Sequence, residues 1–515
     1  MASKRTSNAG SSRFPGSPHP ERPRSGFVLR FRHAAIIAAI VTAIAVAIGY
    51  WSGWYDPGLF RRFTVPWPDP QMEALCITVG SALVLGPLIW IFWNGSIDFL
   101  ALVLPLEALN LFAYFAISTT ANKIPKEAIG ILQMAGLLLM LNALGFCVLL
   151  ISLFVFYRMM VLFKGRLAVL PRPQELLDER MRKFMRVAAC FCALFIFAPI
   201  VYTGVIPLFA GKESRMGLLV SDPLRATYNF AETFFPILMG SFFVLIYRKP
   251  RRLFGLDGLV FGSLIILQIL TTDRSSLLFG MMAAVVLLSM ERRWPRWLLV
   301  SAFVGYLSVF TFLAGFSSLL RTDPAKLAGA GALTSSIEET FYGDNVIDLH
   351  DGAWVLSHWN FEPLMGTSYM GGMVSMMPSG IFPMKKEWHI GLIALRIVGW
   401  SEAEIENHFG LRISFFGESF LNFGIAGVFT LAILLGLLFA FILRLTHLAA
   451  DAEQPCLWRN VLLLLSVQII KPLSNSADAF YSWSLIGLVF MIWVFVVLPA
   501  PPRPKHVRPG ALQRR

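Results

Sequence analysis

The sequence predicts an all-α polytopic integral membrane protein, with about 12 transmembrane helices and one large loop on the outward side. Three observations lead there. Of its 515 residues 56% are hydrophobic and only 15% charged, with a mean hydropathy of +0.65, whereas about a quarter of the residues in a soluble globular chain are charged. Apolar runs of roughly 17–25 residues recur along the chain, the length a helix needs to cross a bilayer, while the strands of a barrel would be short and alternating. Of the 44 Lys and Arg, 29 fall in segments that an even number of spans puts on the side of both termini. Cytoplasmic loops carry the Lys/Arg excess, so both termini are expected in the cytoplasm and the longest polar stretch outside.

Taken in order, residues 1–33 are rich in Ser, Pro, Gly and Arg and read as a disordered, basic cytoplasmic tail. Residues 34–319 hold nine spans, near 34–50, 74–93, 97–117, 129–156, 187–207, 229–246, 257–271, 276–290 and 297–318. The first begins after a long polar stretch and is followed by Trp51, Trp54 and Tyr55, which favours a retained span over a cleaved leader. Trp90, Trp93, Tyr157, Tyr247, Trp294 and Trp297 sit at span ends, as interfacial aromatic belts do. Between the fourth and fifth spans, 157–186 is a basic cytoplasmic linker in which PRPQELLDERMRKFMR (Pro171 to Arg186) reads as a charged helix on the membrane surface, an electrostatic anchor. Residues 320–412 form the large outward loop, 413–499 the last three spans (413–443, 457–472 and 482–498), and 500–515 a basic cytoplasmic tail.

The net charge of +13 is on this reading largely topology plus attraction to lipid headgroups, and nucleic acid is not an expected partner. All five cysteines fall in or beside spans, and Cys190 with Cys192 has the wrong spacing for a zinc or redox motif. His350 and His358 read as solvated loop histidines rather than ligands. No metal and no cofactor is expected.

Chemistry-bearing groups collect where the outward loop meets the membrane. Arg215, Arg225, Arg274, Arg321 and Arg412 all lie close to outward span ends. A guanidinium fork matches phosphate oxygens with two parallel hydrogen bonds and stays charged, so convergent arginines suit a lipid-linked diphosphate; the plain alternative is that each snorkels or pairs locally. LQILTTDRSSLLFG (Leu267 to Gly280) sets Asp273 and Arg274 inside continuous apolar sequence, where an ionisable group is costly unless paired or functional. An Asp273–Arg274 hairpin satisfied internally is the alternative there. Ser414, Glu418 and Asn422 recur every fourth residue and so share a helix face at the start of the tenth span. A helix-dipole contribution of about 0.3–1 kcal/mol accounts for Glu418 but not for Asn422. Gly417, Gly424 and Gly427 would let a backbone or a ligand approach closely.

In order along the chain stand GVIPLFAGKESR (Gly204 to Arg215), TTDRSSLL (Thr271 to Leu278), the large loop, MPSGIFPMKK (Met377 to Lys386) and GLRISFFGESFLNFGIAG (Gly410 to Gly427). Over roughly 204–440 this pattern resembles the Wzy-type polymerases of O-antigen and related oligosaccharide repeat units, most specifically in GESFLNFG. The stretch Met377-Pro378-Ser379-Gly380 departs from the family in lacking a basic residue soon after the proline. The resemblance implies a glycosyltransferase of the bacterial inner (cytoplasmic) membrane, with its large loop in the periplasm. Donor and acceptor would be undecaprenyl-diphosphate-linked oligosaccharides; membrane lipids and a chain-length regulator are the further partners. Arg274 and Arg215 fall on the family's outward arginines, and Glu418 and Asn422 on its glutamate and asparagine. Arg321 and Arg412 join the diphosphate set by position, Glu418 is the first candidate for the base that takes the acceptor proton, and Asp344, Asp348 and His408 are reserves. Two other functions stay open: a ligase moving the finished glycan onto lipid A core, and a flippase for the same lipid-linked units, to which Glu107, Asn110 and Asn142 inside spans would be suited.

Overall fold

The computed structural model describes residues 70–98, 100–120, 129–162, 175–206, 224–271, 274–292, 294–322, 331–336, 347–374, 381–405, 410–450 and 464. Every regular element among them is helical: α1 (Pro70–Asn94), α2 (Leu100–Thr120), α3 (Ile129–Leu162), α4 (Glu175–Thr203), α5 (Leu224–Arg248), a short 3-10 turn (Pro250–Phe254), α6 (Leu256–Thr271), α7 (Arg274–Arg292) and α8 (Arg296–Thr322). Within the expected outward loop lie α9 (Ile347–His358), α10 (Thr367–Val374), α11 (Lys385–Trp388), α12 (Ile390–Ile397) and α13 (Glu402–Ile405), followed by the long α14 (Phe415–Ala450). Both tails, the first expected span and, apart from Leu464, the last two lie outside the described residues.

Among the described residues five helical stretches are long and apolar enough to cross a membrane: Ala74–Phe92, Met134–Val161, Met181–Thr203, Arg296–Leu313 and Phe415–Arg444. Phe234–Arg248, Leu256–Thr271 and Phe279–Ser289 are shorter apolar helices. The chain is thus a helical membrane protein. Its outward-facing positions are themselves apolar, with Ile89, Ile151, Phe191 and Val201 all more than half exposed, as a lipid-facing surface requires.

Helices in lipid gain little from burying apolar area against one another, so close backbone approach at small residues carries the packing. A Cβ on Gly145 would lie 2.6 Å from the Phe416 ring, and one on Gly436 would lie 2.6 Å from Ser152 Cβ and 3.0 Å from the Leu149 carbonyl oxygen. These contacts lay α3 and α14 side by side in the same direction. The second close pair is α5 with α7. A Cβ on Gly280 would meet the Pro236 carbonyl oxygen at 2.5 Å, one on Gly240 would meet the Gly280 carbonyl oxygen at 2.7 Å, and Val244, Ala284 and Leu288 form the next layer, so these two also run parallel. Leu464 packs against Gly240 from the far side.

The charged helix expected at the end of the linker is present from Glu175 and continues into the next element. Residues from Glu175 run without interruption into the fifth span as α4, with Met181 and Met185 already buried. Within it Arg186 places Nη2 at 2.6 Å and Nε at 2.7 Å from Oδ1 of Asp257, a side chain only 3% exposed in the first turn of α6.

The segment between α8 and α14 is tied down at several points. A Cβ on Gly352 in α9 would lie 2.6 Å from Leu138 of α3, His389 caps α12 by accepting from the Gly391 N–H at 3.2 Å, and the Leu411 N–H donates to the Gly391 carbonyl at 3.1 Å. Arg396 Nε donates to Glu402 at 2.8 Å. That hydrogen bond holds the Glu402 carboxyl below its ordinary value, so the latch is complete above the usual glutamate range and loosens only as pH falls through the lowered value.

Replacing Gly436 by Val forces a branched side chain into Ser152 and the α3 backbone. A loss of about 1–3 kcal/mol is expected, seen as a lower unfolding temperature of the detergent-solubilised protein, and an unchanged temperature would rule out a tight α3–α14 contact.

Candidate functional site

The site begins with a break in α14. Phe423 (φ −141°, ψ 18°) and Gly424 (φ 62°, ψ −156°) leave helical geometry inside the membrane-spanning stretch. Gly424 occupies a region that only glycine adopts without strain. The interruption needs new donors for nearby carbonyls, because lipid supplies none. The segment before α10 provides them: the Leu364 N–H donates to the Leu421 carbonyl at 3.0 Å, and the Met365 N–H to the Asn422 carbonyl at 3.3 Å. To reach this position the chain takes positive φ at Phe361 (64°), Met365 (51°) and Gly366 (88°). For the two non-glycine residues this costs on the order of 1–3 kcal/mol each, the kind of strain that collects at functional sites.

One turn before the break lies Glu418, with no exposed surface, as are Asn422 and Ser368. The Ser368 hydroxyl donates to Glu418 Oε1 at 2.6 Å. Asn422 Nδ2 donates to Ser368 Oγ at 2.7 Å and to the Glu418 carbonyl at 2.9 Å, while its Oδ1 accepts from the Gly366 N–H at 2.9 Å. Asn422 therefore uses both ends of its amide to fix the Ser368 segment over Glu418. Aromatic rings close around the network: Trp359 meets Phe420 edge-on at 5.7 Å between centroids, and Tyr369 lies 5.9 Å from Phe423. Ser419 Oγ, buried against Gly427, has no hydrogen-bond partner among the described residues.

The polar stripe expected on α14 divides. Ser414 precedes the first helical residue, accepts from the Gly417 N–H at 3.1 Å as an N-cap, and donates to Asn142 of α3 at 2.9 Å. Glu418 and Asn422 turn instead to Ser368. Asn142 is thus a bracket between helices, and Glu107 lies buried in α2.

Among the expected diphosphate ligands, Arg412 is exposed just before α14, with its backbone N–H donating to Asp351 Oδ2 at 3.3 Å. Arg274 is the first residue of α7, a helix that touches α14, and Arg321 lies in the last turn of α8; their side chains are outside the description, as are those of Asp348, His350 and Asn110. Arg215, Asp273, Asp344 and His408 lie outside the described residues altogether. The described geometry therefore joins Glu418 to Asn422, places Arg412 on the surface before α14, and locates Arg274 and Arg321 by helix end only. Among the described residues no group of three His, Cys, Asp or Glu side chains is disposed to hold a metal ion.

Ser368 and the 361–366 approach are what sequence reading missed. Their signal was slight: small residues in GTSYMGG (Gly366 to Gly372), which let α10 press against α11 at Gly371.

Asn422→Ala strips the acceptor from the Gly366 N–H and the donor from Ser368 Oγ. With these groups buried, a destabilisation of about 1–3 kcal/mol is expected, read as a lower unfolding temperature in detergent; no change would mean that the 364–368 segment is held by other contacts. No protein-family model, curated protein or solved structure matches the chain.

Proposed function

We propose that the protein is a membrane glycosyltransferase that polymerises undecaprenyl-diphosphate-linked oligosaccharide repeat units into O-antigen, capsule or exopolysaccharide at the periplasmic face of the bacterial inner membrane. The observation that carries this reading is a fully buried carboxylate, Glu418, hydrogen-bonded to a hydroxyl at a helix break roofed by the outward segment. In the proposed reaction the acceptor sugar's hydroxyl gives its proton to Glu418 while its oxygen bonds to the donor's anomeric carbon. The bond from that carbon to the diphosphate oxygen breaks, and undecaprenyl diphosphate leaves with the electron pair. Arg274, Arg215, Arg321 and Arg412 would stabilise the charge that develops on the leaving group, which fixed guanidinium groups do in a water-poor site. Asn422 would hold the acceptor side of the site in shape.

The topology that goes with this reading has twelve spans, both termini in the cytoplasm and 320–412 in the periplasm. Supporting it, α3 and α14 run parallel, as do α5 and α7, which is what the fourth and tenth, and the sixth and eighth, members of an alternating series require.

Loss of the gene should leave single repeat units on the surface acceptor when glycan is displayed by length. Full-length chains surviving unchanged would overturn the proposal, and loss of all attached glycan would point to the ligase. Glu418→Gln and Arg274→Ala should each reduce chain growth by about 10²–10⁴-fold while the protein reaches the membrane at its normal level; normal chain length in both would refute the assigned roles.

A further inference from the structure

As described, Glu418 has no room for an outside hydroxyl: it is wholly buried and Ser368 already donates to its Oε1. Apart from the donation of Asn422 Nδ2 to Ser368 Oγ, the bonds across this contact share one polarity. On the α14 side stand four acceptors, namely Glu418 Oε1, the Leu421 and Asn422 carbonyl oxygens and Asn422 Oδ1. On the other side stand four donors, all from residues 364–368: the Ser368 hydroxyl and the N–H groups of Leu364, Met365 and Gly366. A short, strained strap therefore meets a row of acceptors with one hydroxyl and three amides. Met365 on the strap, and Met370 and Met373 further along α10, are about half exposed or more.

Such a row of acceptors matches one class of ligand, a molecule dense in hydroxyl donors. We propose that the face of α14 under residues 364–368 is the acceptor-sugar subsite, and that Ser368 occupies on Glu418 the place an acceptor hydroxyl takes when α10 and the 361–366 approach are displaced. This deepens the reading of Glu418 as the base and rests on it. The exchange keeps the buried groups satisfied, since one O–H on the carboxylate replaces another, and neighbouring sugar hydroxyls take the carbonyls released by the strap. The apolar C–H face of a pyranose fits against the aromatic ring of Phe423, which Tyr369 covers in the closed arrangement. Binding then shifts a population that is closed in the absence of sugar.

The test uses the full chain with its native cysteines replaced by alanine, carrying either Ser368→Cys or the exposed control Met370→Cys. Reaction with N-ethylmaleimide is followed in membranes from cells that make the lipid-linked glycan and from cells blocked in its first assembly step. The expected result is Ser368→Cys reacting about tenfold faster in glycan-bearing membranes, with Met370→Cys the same in both. Leu364→Cys gives a second readout from the other end of the strap should Ser368→Cys accumulate poorly. Equally slow reaction in both membranes overturns the subsite. Displaying surface glycan by length in the same strains separates the two readings: gene-dependent chain growth with glycan-independent reactivity leaves the polymerase and removes the subsite. Glycan-dependent reactivity in cells whose chain length ignores the gene leaves a sugar-binding face and removes the polymerase.

Discussion

A helix interrupted inside a membrane must find donors for the carbonyls it frees, and that requirement organises the described part of this protein. The break at Phe423 and Gly424 is met by backbone donors from Leu364 and Met365. Those donors can be delivered only if the chain before α10 is held at the right height, which explains positive φ at Phe361 and Met365, the caps and latches around α12, and the docking of α9 on α3. On the other flank α3 braces α14 through Gly145, Gly436 and the Asn142–Ser414 bond. A broken span is tolerated because protein surrounds it on both sides.

The same arrangement makes a buried carboxylate affordable. Glu418 is shielded from water, yet its oxygen meets a hydroxyl that is itself oriented by an amide, and the amide is oriented by the backbone at Gly366. Each polar group in this chain of contacts has its geometry set by the next, so the network responds as a unit. Arg412 stands outside this enclosure, exposed beside the start of α14. The separation of a sealed acidic centre from an exposed cation suits a site whose two halves are filled by different parts of a substrate.

Apolar run length was enough to locate the described helices from α1 to α8 and α14, because a bilayer demands a fixed length of apolar sequence whatever the tertiary contacts. A four-residue spacing was enough to single out Glu418 and Asn422, since a helix face is a local property. Ser368 could not be reached that way: its bond to Glu418 joins positions 50 apart and depends on a loop path that no local pattern encodes. The break itself had only a trace in sequence, the glycine at 424, whose conformation shows in coordinates and not in composition. The tie between the linker and α6 was out of reach for a similar reason: the charged helix was legible, but the partner of Arg186, Asp257, lies 71 positions later.

That Arg186–Asp257 pair also couples two helices along the membrane normal. The apolar stretch Met181–Thr203 of α4 rises about 33 Å at 1.5 Å per residue, close to the roughly 30 Å hydrocarbon thickness of an ordinary bilayer. With Arg186 bonded to Asp257, α4 cannot shift along its axis without drawing the start of α6 with it.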